Sequence, residues 1–218
     1  RSDTVTQAIS VVGMAQLRDL AIGTSFMRLF TSVPAQLVDM DSFWRHSIAC
    51  GLVARQLAAY RREPNIERFF VAGLLHDIGR PIVFLRAPLE AASALLEAHE
   101  TKQLLHEVER KTLGFHHGDV GAALLDRWRL PGMLVESASW HHAPRLANRF
   151  PIECAIVHVA DVVANALALG SSGEHLVPPL EPAAWNLVDF PLASFPAMLK
   201  QVETQFIHAV NAIMGGDH

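Results

Sequence analysis

The stretch Phe69-Phe70-Val71-Ala72-Gly73-Leu74-Leu75-His76-Asp77-Ile78-Gly79 decides the reading of this chain. A run with no polar side chain from Phe69 to Leu75 belongs inside a protein, and the helical periodicity around it makes it a buried central helix, residues 66–78. Gly79 and Pro81 are read as its end. The run delivers an imidazole and a carboxylate into that interior. Burying Asp77 alone would cost several kcal/mol, on the order of 3–5 once it lacks a partner, so it calls for a cation or several hydrogen bonds.

Upstream, Asp41-Ser42 reads as the cap of a helix to Tyr60, with Phe43, Ile48, Leu52, Val53, Leu57 and Tyr60 along one stripe. Arg61-Arg62-Glu63-Pro64-Asn65 interrupts it. Downstream, helices are expected over 88–99, 101–113, 119–128, 131–142 and 152–169, with Pro131 in a first turn and Gly114-Phe115-His116-His117-Gly118 as a turn. A polar, proline-bearing link, residues 170–182, leads to a last helix over 192–214. No strand alternation and no internal repeat is visible. The expected architecture is all-α: a compact helical domain over residues 1–182 and a docked helical extension over 183–218.

Composition narrows the function. Of 218 residues, 50% are hydrophobic and 18% charged, enough apolar surface for a core and too little charge for a disordered chain. The formal net charge of -4, with no basic stretch interleaved with aromatics, argues against a nucleic-acid polymer as partner. Apolar runs are cut short of membrane-spanning length, as by Ser32, Pro34 and Gln36 or by Glu153, His158, Asp161 and Asn165. Two cysteines, Cys50 and Cys154, sit in apolar helical contexts and read as buried free thiols of a reducing cytoplasm. The chain opens on Arg1 with no signal-peptide pattern, and a piece of a longer protein is expected.

The chemistry-bearing residues are His46, the pair His76-Asp77, His117, the pair His141-His142, and Asp161. Each falls within or at the end of an apolar helix. Taken singly, most have an ordinary explanation: an interior histidine is usually a hydrogen-bonded core residue, and His141-His142 could cap a helix end. His99, His106, His158, His175, His208 and His218 are given that core reading. Taken together, two carboxylates and several imidazoles on separate helices can satisfy one another by gripping a metal. A donor set of nitrogen and oxygen without thiolate suits iron, manganese, zinc or nickel.

Leu74-Leu75-His76-Asp77-Ile78-Gly79, preceded by Phe43-Trp44-Arg45-His46-Ser47, resembles the HD superfamily, and most closely its HDOD branch of bacterial signalling output domains. The resemblance continues through Gly114-Phe115-His116-His117-Gly118-Asp119-Val120-Gly121, Trp128-Arg129-Leu130-Pro131, His141-His142-Ala143-Pro144 and Ile156-Val157-His158-Val159-Ala160-Asp161. It reaches from Ala8-Ile9 and Gly13 to the final helix. It implies an HD-type helical bundle in which His46, His76, Asp77 and Asp161 hold one divalent metal. By likeness to the HD-GYP cyclic-di-GMP phosphodiesterases, His117, His141 and His142 help hold a second, bridged by Asp77. His116 is the rival for His117, and the family-like phrase through Val120-Gly121 favours His117. Two departures stand out: Ala143-Pro144-Arg145 replaces the Gly-Tyr-Pro segment, and Arg80 stands where those enzymes carry a lysine, able to contact phosphate but not equivalent to it. The resemblance implies an upstream receiver-like regulatory domain and a phosphoester or nucleotide ligand. It leaves open whether the domain is a metal-dependent phosphodiesterase or phosphohydrolase, with Asp77 and Arg80 in catalytic roles, or an inert protein-interaction scaffold.

Overall fold

The computed structural model describes residues 29, 30 and 32–214; Ala8, Ile9, Gly13 and His218 lie outside them. The described residues form helices joined by turns and loops, with no strand among them. The first long helix, α1 (Met40–Tyr60), starts slightly earlier than the Asp41-Ser42 signal suggests. Asp39 is its cap, accepting the Asp41 amide at 3.1 Å. α1 is buried along most of its length, with Phe43, Ile48, Val53 and Leu57 fully shielded, and forms the centre of the bundle.

α2 (Glu67–Leu75) crosses α1 where both carry glycine. A Cβ on Gly73 would come within 2.7 Å of the Gly51 Cα, and one on Gly51 within 2.8 Å of the Phe70 carbonyl. The backbones can touch only because those side chains are missing. His46 lies five residues before Gly51 and His76 three after Gly73, so the close crossing brings their rings to 5.4 Å centroid to centroid.

The sequence reading needs correcting after His76. The helix does not run to Ile78, and Gly79 and Pro81 do not end it. It stops at Leu75, and Gly79 opens a new helix, α3 (Gly79–Arg86), with Pro81 in its first turn, where an amide has no intrahelical partner to lose. Gly79 is not needed for a left-handed turn. A Cβ there would lie 1.9 Å from the His117 carbonyl oxygen and 2.6 Å from the Gly121 amide, so glycine lets α3 lie against α6 (His117–Arg127).

α4 (Pro88–Thr101) and α5 (Leu105–Leu113) are separated by a left-handed Lys102, where a helix from 101 was expected. Gly114, at φ 83°, stops α5. α6 begins at His117 rather than Asp119. α7 (Gly132–Trp140) follows Pro131, which stands just before the first turn and not inside it. α8 (Pro151–Ala166) packs on α1, α2 and α7. Past it, residues 167–181 wander back across the bundle to a short helix not expected from sequence, α9 (Pro182–Val188). The last helix, α10 (Phe195–Met214), lies on α1. There Gln205 Oε1 accepts Arg55 Nη2 at 3.0 Å and Gln56 Nε2 at 3.2 Å. Cys50 and Cys154 are buried and unpaired. No helix of the described residues is long and apolar enough to cross a membrane.

Candidate metal centre

Five helical elements converge on one point, two of them by residues within the helix and three by residues at a helix end or in the turn after it. His46 comes from α1, His76 and Asp77 from the turn after α2, His117 from the first residue of α6, His141 and His142 from the end of α7, and Asp161 from α8. Two ligand groups result, Asp77 with His117, His141 and His142, and His46 with His76 and Asp161. Within each, one donor atom per residue lies within 4.8 Å of the others. Asp77 stands between them: its Oδ1 is 2.9 Å from His117 Nε2 and 3.4 Å from His141 Nε2, and its Oδ2 is 3.5 Å from His76 Nε2. On the other side, Asp161 Oδ1 lies 3.2 Å from His46 Nε2 and 3.4 Å from His76 Nε2.

The hydrogen bonds on the far side of each ring decide what faces inward. His76 Nδ1 donates to the Gly73 carbonyl at 2.7 Å and His141 Nδ1 to the Ala138 carbonyl at 2.9 Å. A carbonyl can only accept, so each Nδ1 carries the proton and, in the neutral ring, Nε2 presents a lone pair. His117 Nδ1 lies 2.6 Å from Glu109 Oε2, which fixes the same tautomer. The inward lone pairs of His117 and His141 then meet the acceptor Asp77 Oδ1, and His142 Nε2 completes the set 3.0 Å from His117 Nε2. His46 Nδ1 and Nε2, His76 Nε2 and Asp77 Oδ1 are buried without a hydrogen-bond partner. Lone pairs converging this closely without protons between them repel unless a cation joins them, and a second-sphere bond from the opposite ring nitrogen is how histidine ligands are held. The residues fit a divalent metal.

The electrostatics agree. Burial opposes ionisation of Asp77, but Arg80, His76 and His117 outweigh it and hold the carboxyl well below the usual carboxylate range. Burial likewise opposes Asp161, and His46 and His76 outweigh it, so its pKa is lowered. Burial and Arg80 work against protonation of His117, yet Glu109 and Asp77 raise its pKa: the position draws positive charge. Burial pushes His141 and His142 down, keeping them neutral and able to coordinate.

The HDOD domain family pattern matches residues 1–144, two thirds of the chain and all of the ligand positions up to His142. This chain belongs to the HDOD domain family. The HDOD fold is also shared with a domain protein of unknown function from Geobacter sulfurreducens, at 23% identity with a TM-score of 0.81, covering 96% of this chain and 74% of that one. A candidate phosphohydrolase of Shewanella amazonensis SB2B superposes with a TM-score of 0.78 at 20% identity, over 94% of this chain and 75% of the other. An uncharacterized protein of Treponema pallidum (strain Nichols) is 26% identical over 140 residues, 63% of this HDOD chain but only 26% of the relative's own length.

All seven residues singled out as ligands in this HDOD domain fall in the two groups. The two neighbours take different places: His116 caps α6, its Nδ1 accepting the Gly118 amide at 2.9 Å while Asp119 accepts the His116 amide, and His117 turns inward. His158 is the hydrogen-bonded core residue expected, Nδ1 donating to the His141 carbonyl at 2.7 Å and Nε2 accepting from the Glu181 amide. Four of the other core readings need correction. His99, His175 and His208 are exposed, and His106 is partly buried beside the site, its Nδ1 without a partner. Arg80 is buried, with Nε 3.4 Å from Asp77 Oδ2 and Nη1 donating to the Ser172 carbonyl, and it does not line the cleft described next.

Sequence reasoning missed Glu109 and a cleft. Glu109, on α5, accepts both the ring and the backbone amide of His117, and its carboxyl pKa, which burial would raise, is pulled down to about 2 chiefly by His117. A helical glutamate flanked by Val108 and Arg110 carries no spacing signal that marks it. Glu109→Gln keeps the shape but weakens the acceptor, and metal affinity is expected to fall by about 10- to 100-fold, the usual cost of losing a ligand's support. Titration of the metal-free variant with Zn2+ checks this. The cleft, about 600 Å³, opens beside His142 and is lined by His106, His116, Trp140 and the arginines Arg110 and Arg145 among others.

Proposed function

We propose that this HDOD domain is a signalling output unit organised around a bound divalent metal, with His46, His76 and Asp161 holding one ion, His117, His141 and His142 a second, and Asp77 between them. Iron, manganese, zinc and nickel are the ions this donor set accommodates. The observation that carries the reading is the convergence on Asp77 of the Nε2 atoms of His76, His117 and His141, each with its opposite ring nitrogen tied down. Residues 1–182 form the HDOD unit and 183–218 its extension, working in the cytoplasm with an upstream receiver-like domain. The longer Treponema relative, most of which lies outside the match, supports a multi-domain setting.

The cleft favours a further reading, hydrolysis of a phosphoester or nucleotide ligand. It reaches His142 from solvent, and its volume suits a small ligand. When bound, a divalent ion supplies Lewis acidity and lowers the pKa of water. The chain's own part is positional: Asp77 faces both ligand groups, Arg80 sets a fixed positive charge against Asp77, and Arg110 and Arg145 stand at the cleft for a phosphate oxygen. Neither arginine is unopposed, since Arg110 pairs with Asp119 at 3.2 Å and Arg145 with Glu181 at 3.4 Å.

Metal removal tests the first reading. An ion at about 100 times its dissociation constant adds about 2.7 kcal/mol to the folded state. Stripping it is therefore expected to lower Tm by roughly 5–10 °C for a chain of this size, restored by adding back the ion and measured by thermal unfolding. A chelator without effect on a demonstrably loaded protein contradicts it. A panel of phosphoesters including cyclic dinucleotides tests the second: turnover by the loaded protein that disappears in Asp77→Asn supports hydrolysis, and no turnover of any member leaves a metal-stabilised scaffold.

A further inference from the structure

Three of the four members of the Asp77 group have a visible restraint behind them. His117 is tied to Glu109, His141 to the Ala138 carbonyl, and Asp77 to Arg80. His142 differs. It lies past the end of α7, in a turn, and its one close polar contact runs forward from Nε2 to His117 Nε2 at 3.0 Å. What meets its ring elsewhere is aromatic: His106 stacks on it at 3.9 Å with the planes 9° apart, His141 packs at 3.9 Å and 48°, and His116 approaches edge-on at 6.1 Å. Of these only His106 is parallel. It comes from α5, the same helix that supplies Glu109 three residues on, one turn along the same face.

We infer that His106 is a positioning residue of the metal centre, holding the His142 ring by face-to-face stacking in the place where His76, His117 and His141 use a hydrogen bond. α5 is thereby the support of the Asp77 group, orienting His117 through Glu109 and His142 through His106. Stacked rings gain by an offset parallel geometry, and the gain grows when the ring beneath becomes electron-poor, as a coordinating imidazole does. His106 Nδ1 is buried with no partner, so hydrogen bonding does not account for this histidine's place. Besides an edge-on approach to His116 at 6.0 Å, the contact it makes is with the face of a ligand.

The inference rests on the metal reading, and one experiment separates the two. Metal-free wild type, His106→Ala, His106→Phe and His142→Ala are titrated with Co2+, following the visible absorption of the bound ion, and thermal unfolding of each metal-free form reports on folding. Stacking predicts that His106→Ala loses about tenfold or more in affinity for one of the ions, the range seen when ligand support is removed. It also shifts the absorption band of that ion, and His142→Ala loses at least as much. His106→Phe keeps a flat ring without nitrogens and stays within about threefold of wild type on the same scale. Wild-type affinity and spectrum in His106→Ala overturn the inference while leaving the metal centre standing, and so does a His106→Phe protein as impaired as His106→Ala despite an unchanged unfolding temperature. Wild type that takes up no Co2+ overturns both.

Discussion

Asp77→Ala is expected to lose metal from both ligand groups and, with it, any phosphoester turnover. Asp77 is the one residue whose oxygens face both sets, Oδ1 toward His117 and His141 and Oδ2 toward His76. Its removal takes away a ligand outright, so the loss in affinity should exceed the roughly 100-fold upper range for losing a supporting residue. Stability falls too. Arg80 is buried at 1% exposure with its Nε against Asp77, and a buried cation deprived of its partner costs on the order of 3–5 kcal/mol. Asp77→Asn separates the effects by keeping the volume and removing the charge. Metal content after exhaustive dialysis, with thermal unfolding alongside, measures both; an Asp77→Ala protein that keeps a full complement of metal contradicts the bridging position.

Gly79→Ala should have a large effect for a single-methyl change. The added carbon would meet the His117 carbonyl oxygen and the Gly121 amide at distances no pair of atoms tolerates, and both are backbone, so no side chain can swing aside. α3 and α6 must separate. Overpacking usually costs about 1–3 kcal/mol and occasionally more. Since the obstruction here is rigid, a loss of about 3 kcal/mol is expected, a drop in Tm of roughly 6–12 °C. Because the obstructing atom belongs to His117, metal affinity falls in the same variant. Gly114→Ala is the control: its φ of 83° is strained for alanine but its Cβ would meet nothing, so about 1–2 kcal/mol is lost with little change in metal binding. If Gly79→Ala melts and binds like Gly114→Ala, the close approach of α3 and α6 is not what glycine serves.

How much of this could be read from residues alone depends on whether the cause is local. The helices, the buried apolar run before His76 and the ligand histidines are local or ordered along the chain, and the sequence shows them. His117 is favoured over His116 in the sequence only by the family-like phrase through Val120-Gly121, because the physical cause lies in a capping box that fixes the His116 ring at the helix start. Gly79 looked like a helix stop because glycine often is one; its actual constraint is the carbonyl of a residue 38 positions away. Glu109 and His106 were invisible for the same reason. Their partners, His117 and His142, sit on other elements at no fixed spacing, so only packing reveals the pairing. The break after Leu75 escaped notice because the apolar pattern runs on through Ile78, while the chain must turn there to point His76 and Asp77 at the same centre.

The most direct test is elemental analysis of the protein purified without added metal or chelator, followed by titration of the stripped form. The two ligand groups predict one or two equivalents of a first-row divalent metal, removable by chelator and taken up again. Protein that carries none and takes up none when titrated would mean that seven converging donors are held by protons alone, and the reading of the site as a metal centre would be wrong.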